Sequence, residues 1–266
     1  MDVTLPDTAD TKRVPLISRT ISIHDRLNIT VWERKDPSEI MGAYWEAQST
    51  NLEGIRQSQQ KLLDPFGLVS WPGSVKAAQE LCRRAETAVK DRHVVVVGAG
   101  VGVEAQTAAI LGAKKVLATD IHPTTLQQLE FGVQQESRIH NKDIVQTQIL
   151  DLFESSDNQP IPVPCDLLVV ADVLYNEQLA AQVCRRCAES VQQNPAVRIL
   201  ITDSQRFVPE FIDNLNKELS NVVPRDTFKP MQWKMEMMKG FTGSGVMIDE
   251  DQTYDVKVHY LWIGLK

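Results

Sequence analysis

The stretch His93–Asp120, HVVVVGAGVGVEAQTAAILGAKKVLATD, leaves this chain few folds to choose from. Val94–Val97 is a β-branched run too short for a buried helix and suited to a strand covered on both faces. It runs into Gly98-Ala99-Gly100-Val101-Gly102, a turn in which absent side chains let backbone approach a ligand closely. Glu104–Leu111 predicts a helix stopped by Gly112, and Lys115–Thr119 predicts a second strand ending at Asp120. Strand, glycine turn, helix, strand and acid is the order that sets an adenosine-bearing cofactor at the carboxyl edge of a parallel sheet. The acid would accept hydrogen bonds from the ribose hydroxyls.

Glycine spacing separates two cofactors. The dinucleotide fingerprint GxGxxG needs a third glycine for tight helix packing, and Val103 stands at that place. The observed GxGxG resembles the first motif of S-adenosylmethionine-dependent methyltransferases. One position departs from that motif: an acid usually stands two residues before the first glycine, and here it is Val96. The bland alternative is a glycine-rich turn in an unrelated α/β protein.

The rest of the chain extends the alternation. Residues 1–15 are polar with two prolines and are expected to be poorly ordered, a disordered start to the chain. Thr20–Ile23 and Leu27–Trp32 predict a hairpin, and Ser38–Leu63 a helix. Phe66–Ser74 holds a Trp71-Pro72-Gly73 turn, and Ser74 is placed to cap a helix from Val75 to about Val89. Pro123–Ser137 predicts a helix, Ile144–Leu150 a third strand ending in Asp151-Leu152-Phe153, and Ser155–Pro164 a loop. Asp166–Ala171 is a fourth strand ending at Asp172-Val173-Leu174-Tyr175. A helix over Glu177–Val191, a strand over Val197–Thr202 and a helix over Pro209–Leu219 follow. Met231, Trp233, Met235 and Met237, and then Tyr254, Val256, Val258, Tyr260 and Trp262, alternate with other residues. That period of two predicts two half-covered strands closing the sheet as a hairpin, with the methionines in the core.

Composition excludes some classes. A net charge of −7 over 266 residues disfavours a general nucleic-acid binder and mildly favours a cationic partner. No apolar run approaches the roughly 20 residues of a membrane span. The start, MDVTLPDTADTKRVPL, has no apolar core and is acidic, so a cytoplasmic protein is expected. Four cysteines are no disulfide framework. Cys184 and Cys187 form a CxxC inside a predicted helix with no second ligand pair, and the five histidines are scattered, so no metal site is expected.

Trp71-Pro72-Gly73, GAGVG, Thr119-Asp120, Leu150-Asp151 and Asp172–Tyr175 together resemble the seven-β-strand protein lysine methyltransferases with a DxxY motif. The similarity runs from about Phe66 to Phe211. Within that group the layout is most similar to the electron-transfer flavoprotein β-subunit lysine methyltransferases, which carry WPGG, D-x-x-Y-x-E and GDPGR. This chain has Asp172–Glu177 for the second, but Thr202-Asp203-Ser204-Gln205-Arg206 for the last.

The resemblance implies a seven-stranded Rossmann-like α/β sheet with an antiparallel C-terminal hairpin. Residues 64–266 would form the methyltransferase domain, and residues 1–63 an extension with a short hairpin and a helix. It implies S-adenosylmethionine as cofactor, held by Trp71, Gly98, Gly100, Gly102, Asp120, Asp151 and Asp172. Asp172 and Tyr175 would be catalytic, the acid aiming a lysine ammonium and the Tyr shaping its channel. The bland reading of that pair is an acid capping the next helix and a ring packed on the sheet. The implied partner is a protein presenting a lysine to a monomeric enzyme, with neither nucleic acid nor membrane involved. Topology adds one expectation: the hairpin loop Gly240–Val246 with Asp249-Glu250-Asp251 faces the substrate side and attracts a basic protein, unless it is a solvated tip. Alternatives are methylation of a small molecule or another protein nucleophile, a catalytically idle fold that binds a partner, and a nicotinamide or flavin oxidoreductase.

Overall fold

Five parallel strands and an antiparallel hairpin form one sheet, and a smaller sheet lies against its helices. The computed structural model describes residues 3–6, 13–24, 27–35, 65–204, 210–224, 229–241 and 253–264. Predictions for the helix over 38–63 and for most of the hairpin loop, 242–252, fall outside these residues.

Strands β1 (Val3–Pro6), β2 (Arg13–His24) and β3 (Leu27–Arg34) make an antiparallel three-stranded sheet in that order. Within residues 1–15 the described part includes the strand β1. Its backbone pairs with the start of β2 from Val3↔Leu16 to Pro6↔Arg13, so tertiary pairing overrides polar local composition. After a single 3-10 turn at Pro65–Leu68 comes helix α1 (Pro72–Arg83), then β4 (His93–Val97), α2 (Val103–Ile110), β5 (Lys115–Asp120) and α3 (Pro123–Gln135). The order continues with β6 (Val145–Ile149), β7 (Leu167–Ala171), α4 (Glu177–Gln193), β8 (Arg198–Ser204), α5 (Phe211–Val222), β9 (Lys234–Phe241) and β10 (Tyr254–Ile263).

The seven-stranded order is β6-β5-β4-β7-β8-β10-β9, with only β10 antiparallel to its two neighbours. The chain reverses its direction of growth between β4 and β7. That is the switch point at which open α/β sheets bind ligands, outside the carboxyl ends of the strands. Val94–Val97 are all buried, as are Leu167–Ala171 beside them. Burying each valine is worth roughly 1.5–3 kcal/mol relative to exposure, which fixes the centre of the sheet.

Two sequence expectations fail at its far edge. Met235 is 54% and Met237 44% exposed, while Glu236 and Met238 turn inward. The phase is set by Lys76, a buried lysine of α1 whose Nζ meets Glu236 Oε2 at 2.6 Å and Glu80 Oε1 at 3.0 Å. An ion pair thus claims the inner face and sends the methionines out. Strand β10 lies between β8 and β9, and from Leu261 to Ile263 it is covered on both faces, beyond the half-covered strand expected.

Val101 and Val103 share a buried cluster with Ile21, Ile23, Ile29 and Val31 of the small sheet. The residue in the dinucleotide motif's third-glycine place is therefore the one that anchors the N-terminal sheet to the cofactor-loop helix. Among the described residues no helix is long and apolar enough to cross a membrane, and no His, Cys, Asp and Glu group could hold a metal. Cys184 and Cys187 are buried along α4, and burial pushes both thiols up.

Candidate active site at the carboxyl edge

The glycine loop joins β4 to α2, and Gly98, Gly100 and Gly102 have φ of 63°, 51° and 86°. These left-handed values suit glycine, and space adds a second demand. A Cβ on Gly98 would stand 2.6 Å from Val173, and one on Gly102 2.6 Å from Leu129. Asp120, at the end of β5, accepts from the Gly100 amide at 3.2 Å and the His122 amide at 3.1 Å. Burial raises its carboxyl above the usual range, against the lowering effect of those donors.

Asp151 lies one strand over. The Leu150 amide donates to the Asp120 carbonyl at 3.0 Å, which sets the two acidic strand ends side by side. The Asp151 carboxylate accepts from the Phe153 amide at 2.8 Å, and its own amide donates to Gln159 Oε1 at 2.8 Å. Ile121 (41%) and Phe153 (53%) leave large apolar faces open beside the two acids.

Asp172 sits at the switch point and is 2% exposed, with φ 53°. One carboxylate oxygen accepts from the Gly73 amide at 2.5 Å and the Ser204 hydroxyl at 2.9 Å. The other accepts from the Ser204 amide at 2.6 Å. Gly73 is the second residue of α1, so Asp172 caps that helix from 99 positions away. The sequence points to Ser74 as the cap; α1 instead starts at Pro72 with no capping side chain of its own. Helix α4 is capped by Asn176, which accepts from the Leu179 amide at 2.9 Å. A Cβ on Gly73 would stand 2.4 Å from Asp172 Oδ2, which is why a glycine follows Trp-Pro here.

Trp71 and Tyr175 come together through a residue that carries no sequence signal of its own. Phe66 lies 6.0 Å from the Trp71 ring and 5.6 Å from the half-exposed Tyr175 ring, and its carbonyl accepts from Trp71 Nε1 at 2.7 Å. The aromatic turn is tied down from both sides. Glu33 of β3 accepts from the Ser70 amide at 2.9 Å, and Gln128 of α3 donates to the Leu68 carbonyl at 3.0 Å. Arg186, buried in α4, is a second residue that sequence reasoning misses. Its guanidinium donates to the carbonyls of Glu154 at 2.6 Å, Gln159 at 2.9 Å and Asp151 at 3.3 Å, holding the Asp151 loop in shape. The one local signal is Glu189, three residues on, whose carboxylate pairs with the guanidinium at 2.8 Å inside the same helix face.

Val96 is fully buried in an apolar cluster that also holds Ala77 and Leu81 of α1, so apolar packing fills the place of the usual acid. A groove of about 500 Å³ lies elsewhere, lined by Asn28, Thr30, Trp32, Glu136 and Arg138 among others. Its Arg138 is engaged by Glu136 and the Asn28 carbonyl.

With this geometry in place, comparison with known proteins is decisive for the family. A model described as "Lysine methyltransferase" matches residues 24–218. The chain belongs to the lysine methyltransferase family. It is 28% identical over 215 residues to the Mus musculus protein-lysine methyltransferase METTL21E, covering 75% of this chain and 81% of that protein. It is 31% identical over 173 residues to the ribosomal protein L11 methyltransferase of Acinetobacter baumannii (strain AYE), covering 59% of this chain but 52% of that enzyme. A solved Pyrococcus horikoshii protein assigned as an RNA methyltransferase superposes with a TM-score of 0.51 at 15% identity. That match covers 85% of this chain and 94% of the other, and at such identity it speaks for the fold alone.

Family and fold make this lysine methyltransferase relative an S-adenosylmethionine-dependent enzyme with the seven-stranded class I architecture. Its residues fit that cofactor: a three-glycine loop of left-handed backbone, a nearly buried acid at the end of β5, and exposed apolar faces of Ile121 and Phe153 beside it.

Proposed function

We propose that this enzyme methylates a lysine side chain of a protein substrate. The observation that carries this reading is the Phe66–Trp71–Tyr175 aromatic group at the carboxyl edge, beside the switch point. An electron-rich mouth of this kind attracts an ammonium. The protein-lysine methyltransferase relative supports the same nucleophile.

S-adenosylmethionine, when bound, supplies the activated methyl group. Gly98, Gly100 and Gly102 present backbone amides and the α2 N-terminus to its methionine carboxylate. Asp120 takes the ribose hydroxyls, Asp151 the adenine amine, and Trp71 closes over the ligand. A lysine arrives charged, with a pKa of about 10.4, and must lose its proton before it can attack. Tyr175 shapes the channel, and desolvation there favours the neutral amine. Asp172 aims the ammonium through its negative field and holds the turn carrying Trp71, so that orientation supplies most of the rate. Residues 64–266 carry this chemistry, and residues 1–63 form an extension of which β3 braces the aromatic turn through Glu33. The enzyme acts as a cytoplasmic monomer without a nucleic-acid partner. The sequence departs from the electron-transfer flavoprotein β-subunit enzymes in the Gly and Pro of GDPGR, where it has Thr202, Ser204 and Gln205, so the substrate protein is to be named by labelling.

Labelled S-adenosylmethionine added to a cell lysate, with wild type beside Asp172→Ala and Tyr175→Ala, tests this reading. We expect a labelled protein band with wild type and its loss with both variants, while Tyr175→Ala still binds S-adenosylhomocysteine. Label confined to small molecules would replace the substrate class. Equal incorporation with Asp172→Ala would remove that residue from the mechanism.

A further inference from the structure

One buried charge has no place in the mechanism above. Glu104 is the second residue of α2, directly after the glycine loop, and is 1% exposed. Neither carboxylate oxygen reaches a hydrogen-bond partner in full geometry. An acid buried in this way is costly unless something compensates it.

Its surroundings deepen the cost. Asp172 acts on Glu104 as a like charge, and Glu104's own backbone amide and the Ser74 hydroxyl ease it only in part. Asp172 is already fixed by Gly73 and Ser204. The nearest buried cation of α1, Lys76, is committed to Glu80 and Glu236. Burial, with repulsion from Asp172 adding to it, lifts the Glu104 carboxyl to about 7.

These facts meet the gap left by Val96. Val96 shares one buried cluster with Ala77 and Leu81 of α1 and with Ala105, the neighbour of Glu104. Ser74, beside Glu104, belongs to the same α1. An acid missing from the end of β4 is thus present one element later, against the same helix. S-adenosylmethionine carries an α-ammonium on the methionine end that meets the glycine loop, and an ammonium needs an anionic acceptor. The first turn of a helix also favours a carboxylate, through the helix dipole.

We infer that Glu104 receives the α-ammonium of the cofactor, in place of the acid that Val96 has displaced. This rests on the cofactor assignments of the proposed function. The consequence is a trade: Glu104 strains the free protein and is relieved when the cofactor binds. Removing its charge stabilises the empty enzyme and weakens cofactor capture.

The test compares S-adenosylhomocysteine with its analogue lacking the α-amino group, titrated calorimetrically into wild type, Glu104→Gln and Glu104→Asp at pH 8. Melting of each empty protein is measured in parallel. We expect Glu104→Gln to lose about tenfold or more in affinity for S-adenosylhomocysteine and to bind the deaminated analogue as wild type does. Its empty form should melt at or above wild type. Glu104→Asp should recover part of the affinity. Equal losses for both ligands would assign Glu104 a structural role and overturn the inference, as would unchanged binding of S-adenosylhomocysteine. Wild type that binds neither ligand would instead sink the cofactor reading itself. Failure of Glu104→Gln to fold would itself contradict the inference, and in the folded variant adding Val96→Asp should restore discrimination between the two ligands, its absence counting against the exchange of acids.

Discussion

The backbone amide of Gly73 donates a 2.5 Å hydrogen bond to the carboxylate of Asp172, across 99 residues of chain. Through it the fourth strand of the parallel sheet controls the turn that carries Trp71. Ser204, at the end of the next strand, supplies the other donors to the same carboxylate. The two sequence motifs flanking the site, Trp-Pro-Gly and Asp-Val-Leu-Tyr, are therefore one mechanical unit.

Gly73→Ala tests this coupling, because its Cβ would fall 2.4 Å from Asp172 Oδ2. Overpacking of this kind costs roughly 1–3 kcal/mol, and the strain should concentrate in the turn. We expect reduced stability in urea denaturation together with weaker binding of S-adenosylhomocysteine. A variant with wild-type stability and affinity would show that the contact is slack.

How far the sequence alone reveals this site depends on the range of each interaction. The parallel strands are legible because buried runs such as Val94–Val97 and Leu167–Ala171 are local signals, and Gly98, Gly100 and Gly102 announce their turn by spacing. Asp172 is legible as an important strand-end acid, but its partner Gly73 is not, since nothing local links positions so far apart. The phase of Met235 and Met237 escapes the period-two pattern for the same reason. It is decided by Lys76 on another element. Phe66 escapes because a lone aromatic carries no pattern, and Arg186 because the carbonyls it holds lie some thirty residues away in the chain.

The ion network of α1 predicts acid sensitivity. Burial raises Glu236, but Lys76 and Tyr260 outweigh it and hold its carboxyl at about 2; Glu80 is likewise lowered, burial being outweighed by Trp262 and Lys76. Folded values below the unfolded ones mean that the stabilisation is complete above about pH 5 and is lost as pH falls towards 2. The urea midpoint should drop steadily from pH 6 to pH 3. Lys76→Met leaves the buried Glu80 with Arg83 and Trp262 alone and should cost roughly 1–3 kcal/mol at pH 7 while flattening that pH dependence. An unchanged slope in the variant would remove Lys76 from the network.

Trp71→Phe keeps a ring but deletes the 2.7 Å bond to the Phe66 carbonyl. Losing one hydrogen bond of roughly 0.5–1.5 kcal/mol should loosen the aromatic mouth and raise KM for the protein substrate several-fold. Wild-type KM would contradict the role given to the turn.

Arg186→Lys leaves a charge but not the fork that spans the Asp151, Glu154 and Gln159 carbonyls. We expect affinity for S-adenosylhomocysteine to fall by about tenfold, equivalent to about 1.4 kcal/mol, with the fold retained by circular dichroism. Unaltered affinity would show that the Asp151 loop keeps its shape unaided.

The central claim is the nucleophile, and its most direct test is the chemical form of the transferred methyl group. The labelled protein from the lysate reaction is hydrolysed to amino acids and the label is separated chromatographically. The label should co-elute with N-methylated lysine standards. Label recovered in any other amino acid, from an enzyme that binds S-adenosylhomocysteine normally, would contradict the claim.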